Sequence, residues 1–271
     1  MNARRRNMTQ KSRTHPSIRA LIIDMDGVLW RGEQPIGDLP AIFERINRKG
    51  YKFILASNNA TGTVDQYVDK LGAFGVKIGA GQVINSGQAT AQFLRQRFPH
   101  GGPVYLIGEQ GLVKALAECN FYHSAEESLA VVVSLDRQLT FDKLRRATLL
   151  IRGGIPFIGT NPDRTLPSPH GLVPGTGAIL AALEAATDVQ PTIIGKPAPE
   201  MYRVALERLG TPIERTLVIG DRVETDIAGG QALGCPTALV LSGATDHDRA
   251  RQWKPPPDFV VPDFTSLLSE L

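Results

Sequence analysis

The sequence predicts an α/β fold, a doubly wound, mostly parallel Rossmann-like sheet with a smaller α/β domain inserted into it. Three observations lead there. Short apolar runs alternate with segments of helical period along the chain, the pattern of βαβ units. The runs read as continuously apolar, as in strands buried on both faces, and residues 216–219 are the purest case. The alternation restarts near residue 99 and resumes its first pattern near residue 191, so a second layer interrupts the first.

In order, residues 21–23 form the first strand and run into Asp24-Met25-Asp26-Gly27. Leu39, Ile42, Phe43 and Ile46 share one face of a helix that Gly50 closes. Residues 53–56 are the second strand and end in Ser57-Asn58-Asn59. Val64, Tyr67, Val68 and Leu71 mark the next amphipathic face. Residues 83–84 are a short third strand, and the helix around residues 89–97 stops at Pro99. Strands at 104–107, 131–133 and 157–158 then alternate with helices near 112–119 and 141–151, between glycine turns. A loop with three prolines, residues 162–169, precedes an Ala-rich helix over 177–186. Thr192-Ile193-Ile194 resumes the first sheet and leads to Gly195-Lys196-Pro197. After a helix bearing Met201, Ala205 and Leu209, the strand at 216–219 ends in Gly220-Asp221. Residues 237–241 and 259–261 close the sheet. The division is a core of residues 16–98 and 191–271, an inserted cap of 99–190, and a basic, disordered tail of 1–15.

Composition narrows the function. The chain has 271 residues and a net charge of +3. Residues 1–15 carry five cations and no acid, so taking them away leaves the remainder at −2. The body therefore makes no electrostatic case for nucleic acid. No run of 18 apolar residues crosses a membrane, and no apolar stretch behind the tail's arginines makes a secretory signal. Cys119 and Cys235 form no framework and fit a reduced, cytoplasmic protein. The five histidines show no pair at zinc-ligand spacing.

What remains is a set of polar strand ends: Asp24 and Asp26, Ser57-Asn58-Asn59, Lys196, and Asp221. In a doubly wound sheet such ends open on one edge, where ligands bind. Each has a plain reading. Asp-Gly breaks a strand, Ser-Asn-Asn caps a helix, and Gly-Lys-Pro is a helix-entry turn. Together they assemble a carboxylate nucleophile, further acids, a hydroxyl and an ammonium, which is what phosphoryl transfer requires. Two of the acids could hold Mg²⁺ through oxygen ligands.

Asp24-Met25-Asp26-Gly27-Val28, Ser57-Asn58-Asn59, Gly195-Lys196-Pro197 and Gly220-Asp221-Arg222-Val223-Glu224-Thr225-Asp226 resemble the four motifs of the haloacid dehalogenase superfamily. The insert's Thr160-Asn161-Pro162-Asp163 and Pro174-Gly175-Thr176-Gly177 resemble the subfamily of para-nitrophenyl, ribonucleotide, phosphoglycolate and pyridoxal phosphatases, which carry the larger α/β cap. The resemblance covers roughly residues 20–245. It implies that Asp24 is the nucleophile of an aspartyl-phosphate mechanism and that Asp26 is the acid and base, tuned by burial and its surroundings. It further implies Mg²⁺ on Asp24, Asp221 and the Asp26 carbonyl, with Asp226 orienting the metal shell from behind or capping a helix. Gly27, the Ser57 hydroxyl, the Asn58 and Asn59 N–H groups and Lys196 would bind phosphate. Asn161, Asp163 and Arg164 would line the substrate site from the cap, or form a polar loop held by its own turns. Vertebrate pyridoxal and phosphoglycolate phosphatases carry a substrate-facing histidine in this loop. The spacing here puts Thr165 and Leu166 there, with His170 out of register.

The expectation is a Mg²⁺-dependent phosphomonoesterase acting on small phosphorylated metabolites, under a cap that closes over the site. The resemblance leaves open a homodimer through the cap. The rival functions are a phosphotransferase or mutase, and a signalling or binding module whose phospho-Asp does not turn over.

Overall fold

The structure, a computed structural model, describes residues 17–168 and 171–271. The tail of residues 1–15 and His170 lie outside the described residues. The first layer begins with β1 (Ala20–Ile23), a two-residue ladder of β2 (Trp30–Arg31) with β3 (Gln34–Pro35), and α1 (Leu39–Arg48). It continues through β4 (Lys52–Ser57), α2 (Val64–Ala73), β5 (Val83–Asn85) and α3 (Ser86–Arg97). The insert carries β6 (Gly102–Ile107), α4 (Gln110–Ala117), β7 (Phe121–His123), β8 (Val131–Val133), α5 (Phe141–Arg152) and β9 (Phe157–Gly159). A hairpin of β10 (Thr165–Ser168) and β11 (Gly171–Pro174) follows, then α6 (Thr176–Thr187) and β12 (Thr192–Ile193). The chain ends with α7 (Pro199–Leu209), β13 (Thr216–Gly220), α8 (Ala228–Leu233), β14 (Thr237–Val240), α9 (His247–Gln252), β15 (Phe259–Val261) and α10 (Phe264–Glu270).

The first sheet runs in the order β15-β14-β13-β1-β4-β5 with every pair parallel. The chain winds outward from β1 in both directions, so the topological switch point lies at β1. Register sets what meets there. Ile23 lies level with Ile219 on one side and Leu55 on the other, so Asp24, just past the end of β1, stands level with Gly220 and Ala56, which are still paired in their own strands. Alternate residues face opposite layers. Leu21, Ile23, Leu55 and Ile219 pack on α1, α2 and α10, while Ala20, Ile22, Ile54 and Val218 pack on α3 and α7.

Local signals start the helices. The Asp38 carboxylate caps α1 by accepting from Ala41 N at 3.0 Å, and Thr63 and Gln66 form a capping box on α2. The buried stripe of α1, Leu39, Ile42, Phe43 and Ile46, supplies roughly 1.5–3 kcal/mol per side chain in transfer free energy.

The second sheet runs β12-β9-β8-β6-β7, also parallel. One face, with Tyr105, Ile107, Val131 and Val133, packs on α5 and α6. The other, with Val104, Val132 and Ile158, packs on α4 and shares a hydrophobic cluster with the first sheet.

Two differences from the sequence expectation bear on the site. Thr192 and Ile193 pair with Ile158 and Gly159 of the second sheet and do not return to the first. The first sheet resumes only at β13. The proline-containing stretch holds the β10–β11 hairpin where a loop was expected. In an isolated two-stranded ladder every second N–H faces away from the partner, and a proline there loses no ladder bond.

Candidate active site

Asp24 leaves β1 as a buried carboxylate, tied to the neighbouring strand by its own N–H donating to the Ile219 carbonyl at 2.8 Å. Lys196 meets it from the other side. Its Nζ donates to Asp24 Oδ1 at 2.5 Å, to Asp226 Oδ1 at 2.7 Å and to the Ala56 carbonyl at 3.0 Å. Burial pushes the Asp24 carboxyl well above the ordinary carboxylate range, against the pull of the ammonium. Burial alone would push the lysine down, but the Asp226 and Asp24 charges outweigh it and raise the amine. Asp226 spends its other oxygen on Arg222 N at 3.1 Å, so both of its oxygens are engaged.

Asp221 ends β13 beside this pair. Its Oδ2 accepts from Ala244 N, one residue past Gly243, at 2.6 Å, and its Oδ1 is buried with no hydrogen-bond partner among the described residues. Burial, with the Asp226 charge adding to it, pushes Asp221 up to about 6. Gly27, at φ +85°, and Gly243 crowd the carboxylate so closely that a Cβ on either would collide with it. Carboxylate oxygens of Asp24, Asp221 and Asp226 come within 4.8 Å of one another, and Lys196 is the ammonium that pairs with two of the three. An all-oxygen set, an orphaned buried oxygen and more buried acid than its lysine can neutralise fit a hard divalent cation such as Mg²⁺.

Asp26 differs from expectation in its burial. It is exposed, and its Oδ1 accepts from the Trp30 indole at 2.9 Å. Asp26 stands just before the turn over residues 27–29, and Trp30 at the far end of that turn holds its carboxylate.

The loop after β4 carries Ser57, Asn58 and Asn59. Asn59 N–H donates to Ser57 Oγ at 3.1 Å, and the Asn59 side chain accepts from Thr61. Tyr67 OH donates to the Asn59 carbonyl at 2.9 Å and braces the loop from α2. Asn58 turns its carboxamide toward the lysine backbone and the cap loop. Oδ1 accepts from Lys196 N at 2.8 Å, while Nδ2 donates to the Lys196 carbonyl at 2.9 Å and to Asp163 Oδ2 at 3.2 Å.

A cleft of about 690 Å³ opens on these groups, and it brings together Asp24, Asp26, Gly27, Ser57, Asn58, Asn59, Asn161, Asp163, Lys196, Asp221 and Asp226. Thr165 and Leu166 line it too, where spacing placed them. Arg164 is exposed and is not among the lining residues. Sequence reasoning missed Arg137, Arg222, Trp30 and the Gly243-Ala244 turn. That turn had a signal, since β14 also ends in polar punctuation, Ser242-Gly243. Arg222 had one too, next to Asp221 within the motif at residues 220–226, while Arg137 had none.

This site on a doubly wound sheet matches the haloacid dehalogenase-like hydrolase family over residues 21–122, and a HAD-hydrolase-like family over residues 193–267. The chain belongs to the haloacid dehalogenase-like hydrolases. It is 35% identical over 254 residues to an acid sugar phosphatase of Staphylococcus aureus (strain USA300), covering 93% of this chain and 98% of that one. The solved p-nitrophenyl phosphatase of Archaeoglobus fulgidus superposes with a TM-score of 0.89 at 31% identity, covering 94% of this chain and 100% of its own. The 4-nitrophenylphosphatase of Thermotoga maritima does so with 0.88 at 33%, covering 93% and 97%. The protein stands in the phosphatase branch of the family, among the nitrophenyl phosphatases.

Proposed function

We propose that this phosphatase hydrolyses small phosphate monoesters through an aspartyl-phosphate on Asp24, with Mg²⁺ as cofactor. The observation that carries the reading is the buried Asp24, held by Lys196 at 2.5 Å and flanked by an Asp221 oxygen that lacks a partner. In the first step an Asp24 oxygen attacks phosphorus, the ester P–O bond breaks, and Asp26 gives its proton to the leaving oxygen. In the second step Asp26 takes a proton from water, whose oxygen bonds to phosphorus as the Asp24–phosphorus bond breaks. The exposed position of Asp26 at the open side of the cleft suits contact with a leaving group and with water. Lys196 holds Asp24 in place and sets a positive charge beside the phosphoryl oxygens, its three N–H donors being engaged by Asp24, Asp226 and Ala56. Ser57 and the backbone of its loop serve the same oxygens.

Mg²⁺ would be held by Asp24, Asp221 and the Asp26 carbonyl, and when bound it supplies positive charge to the phosphoryl oxygens and favours the ionised form of the carboxylates. Asp226, with both oxygens engaged, holds Lys196 in place. No described helix is long and apolar enough to cross a membrane. Cytoplasmic residence is supported by the unpaired Cys119 and Cys235.

The test is phosphate release from a panel of phosphorylated metabolites and para-nitrophenyl phosphate, with and without Mg²⁺, for the wild type and Asp24→Asn. Turnover should require the ion and fall below detection in the variant. Turnover that survives in Asp24→Asn rules out the covalent route.

A further inference from the structure

Resting on that reading, we propose that the cap residue Asn161 is a positioning residue, which together with Asp163 holds Lys196 and the phosphate loop, and that Asn161 does not contact the leaving group. Lys196 is hung from the second sheet. Beyond β12 the ladder to β9 continues, with Ile194 N donating to the Gly159 carbonyl at 3.1 Å and Gly195 N to the Thr160 carbonyl at 2.8 Å. The next residue is the lysine itself. A displacement of the second sheet would carry Lys196 away from Asp24.

The corner that prevents this is built from two stretches far apart in sequence. Asn161 is 4% exposed, and its Nδ2 donates to the Asn58 carbonyl at 2.8 Å and to Thr176 Oγ1 at 3.2 Å. Its Oδ1 accepts from Asp163 N at 3.1 Å, and Asp163 Oδ2 accepts from Asn58 Nδ2 at 3.2 Å. Asn58 is therefore held by the cap through its main chain and its carboxamide, and the same carboxamide pairs with both backbone groups of Lys196. The segment 174–177 backs this loop. Gly175 N donates to the Arg164 carbonyl and Gly177 N to the Asp163 carbonyl, both at 2.8 Å. A Cβ on Gly175 would collide with the Asp163 carbonyl, and one on Gly177 with that of Pro162.

These bonds leave Asn161 little to offer a substrate. Both ends of its carboxamide are spent on protein partners. What the corner controls is the relative placement of two phosphate-binding pieces, one from each sheet. Its loss should be felt by the phosphoryl group, whatever alcohol is attached.

The test compares the wild type with Asn161→Ala on esters with aliphatic, sugar and aromatic leaving groups, and measures inhibition by inorganic phosphate. Positioning residues of this kind typically carry about 10–100-fold. We expect kcat/KM to fall by that range and by the same factor on every ester, with the inhibition constant for phosphate rising in step. A substrate ratio that shifts more than about tenfold while phosphate inhibition stays unchanged would make Asn161 a leaving-group contact and overturn the proposal. A fall in kcat alone, with KM and phosphate inhibition unchanged, would mean only a smaller folded fraction and would also overturn it, as would wild-type behaviour. Thr176→Val, which removes only the hydroxyl that accepts from Asn161, should move the same readouts in the same direction by less, and decides the matter if Asn161→Ala does not fold. Survival of turnover in Asp24→Asn would sink the covalent mechanism, yet would leave the phosphate-inhibition result standing.

Discussion

At the scale of residues, the site is a crowd of buried acids around one ammonium, and its energetics follow from that. Replacing Lys196 by Met leaves Asp24 and Asp226 without their shared partner. Breaking a buried pair in this way costs about 3–5 kcal/mol. The loss should be full at pH 8 and smaller at pH 5, where protonation relieves Asp24, whose carboxyl burial already raises. Denaturant midpoints at the two pH values check this, and an equal loss at both would contradict it. Asp221 makes a separate prediction. Its pKa, pushed up to about 6 in the fold, exceeds the unfolded value near 4, so between these limits the native state binds more protons than the unfolded chain. Stability of the metal-free protein therefore falls as pH rises from about 4 to 6, by roughly 3 kcal/mol from this group. Asp24, raised by its own burial, acts in the same direction. Mg²⁺ competes with those protons, so adding it should flatten the decline, and its apparent affinity should rise with pH through about 6. Thermal midpoints against pH, with and without the ion, test both signs.

At the scale of elements, the strand ends do the assembling, and they were the legible part of the site. An apolar run that stops in Asp, Ser-Asn-Asn or Gly-Asp announces a strand end from local chemistry alone. The two-residue β12 carries no periodicity, so its sheet is decided by partners far away in sequence, and the side from which Lys196 arrives could not be read. The exposure of Asp26 likewise depends on how the chain leaves β1 into the turn at residues 27–29. The Ala244 donor is a backbone group, which a motif search overlooks. The Gly243 turn yields a prediction of its own. Gly243→Ala, at a backbone angle that any residue tolerates, would drive its Cβ into Asp221, and Gly27→Ala adds left-handed strain of about 1–2 kcal/mol to the same collision. Both should abolish most turnover and weaken Mg²⁺ binding. Gly32→Ala, at φ +56° with nothing within 4 Å, should cost only the left-handed strain of about 1–2 kcal/mol and leave Mg²⁺ binding intact. Isothermal titration with Mg²⁺ and unfolding midpoints separate the two classes; unchanged ion affinity in Gly243→Ala would refute the role of that turn.

At the scale of the whole molecule, the question is whether the inserted layer is a separate unit. The sequence reading placed boundaries near 99 and 190, and strand continuity carries the second sheet to Ile193. Packing goes further. Ile22, Ile54 and Val218 of the first sheet, Leu94 of α3, Leu112 and Leu116 of α4, and Val132 and Ile158 of the second sheet are all buried in one cluster. Separating the layers would expose this surface to water at about 25 cal/mol per Å², in addition to breaking the Asn58 and Asn161 bonds. Neither layer then has a low-energy state without the other, and unfolding should be a single cooperative transition. Leu112→Ala, at a fully buried position between the layers, should cost about 2–5 kcal/mol and lower that one midpoint as a whole. Far-UV circular dichroism, phosphate-ester turnover and calorimetry should move together in wild type and variant. Two resolved heat-capacity peaks, with only one displaced by Leu112→Ala, would show that the layers melt independently, and the lysine-bearing sheet would then be free to leave the nucleophile.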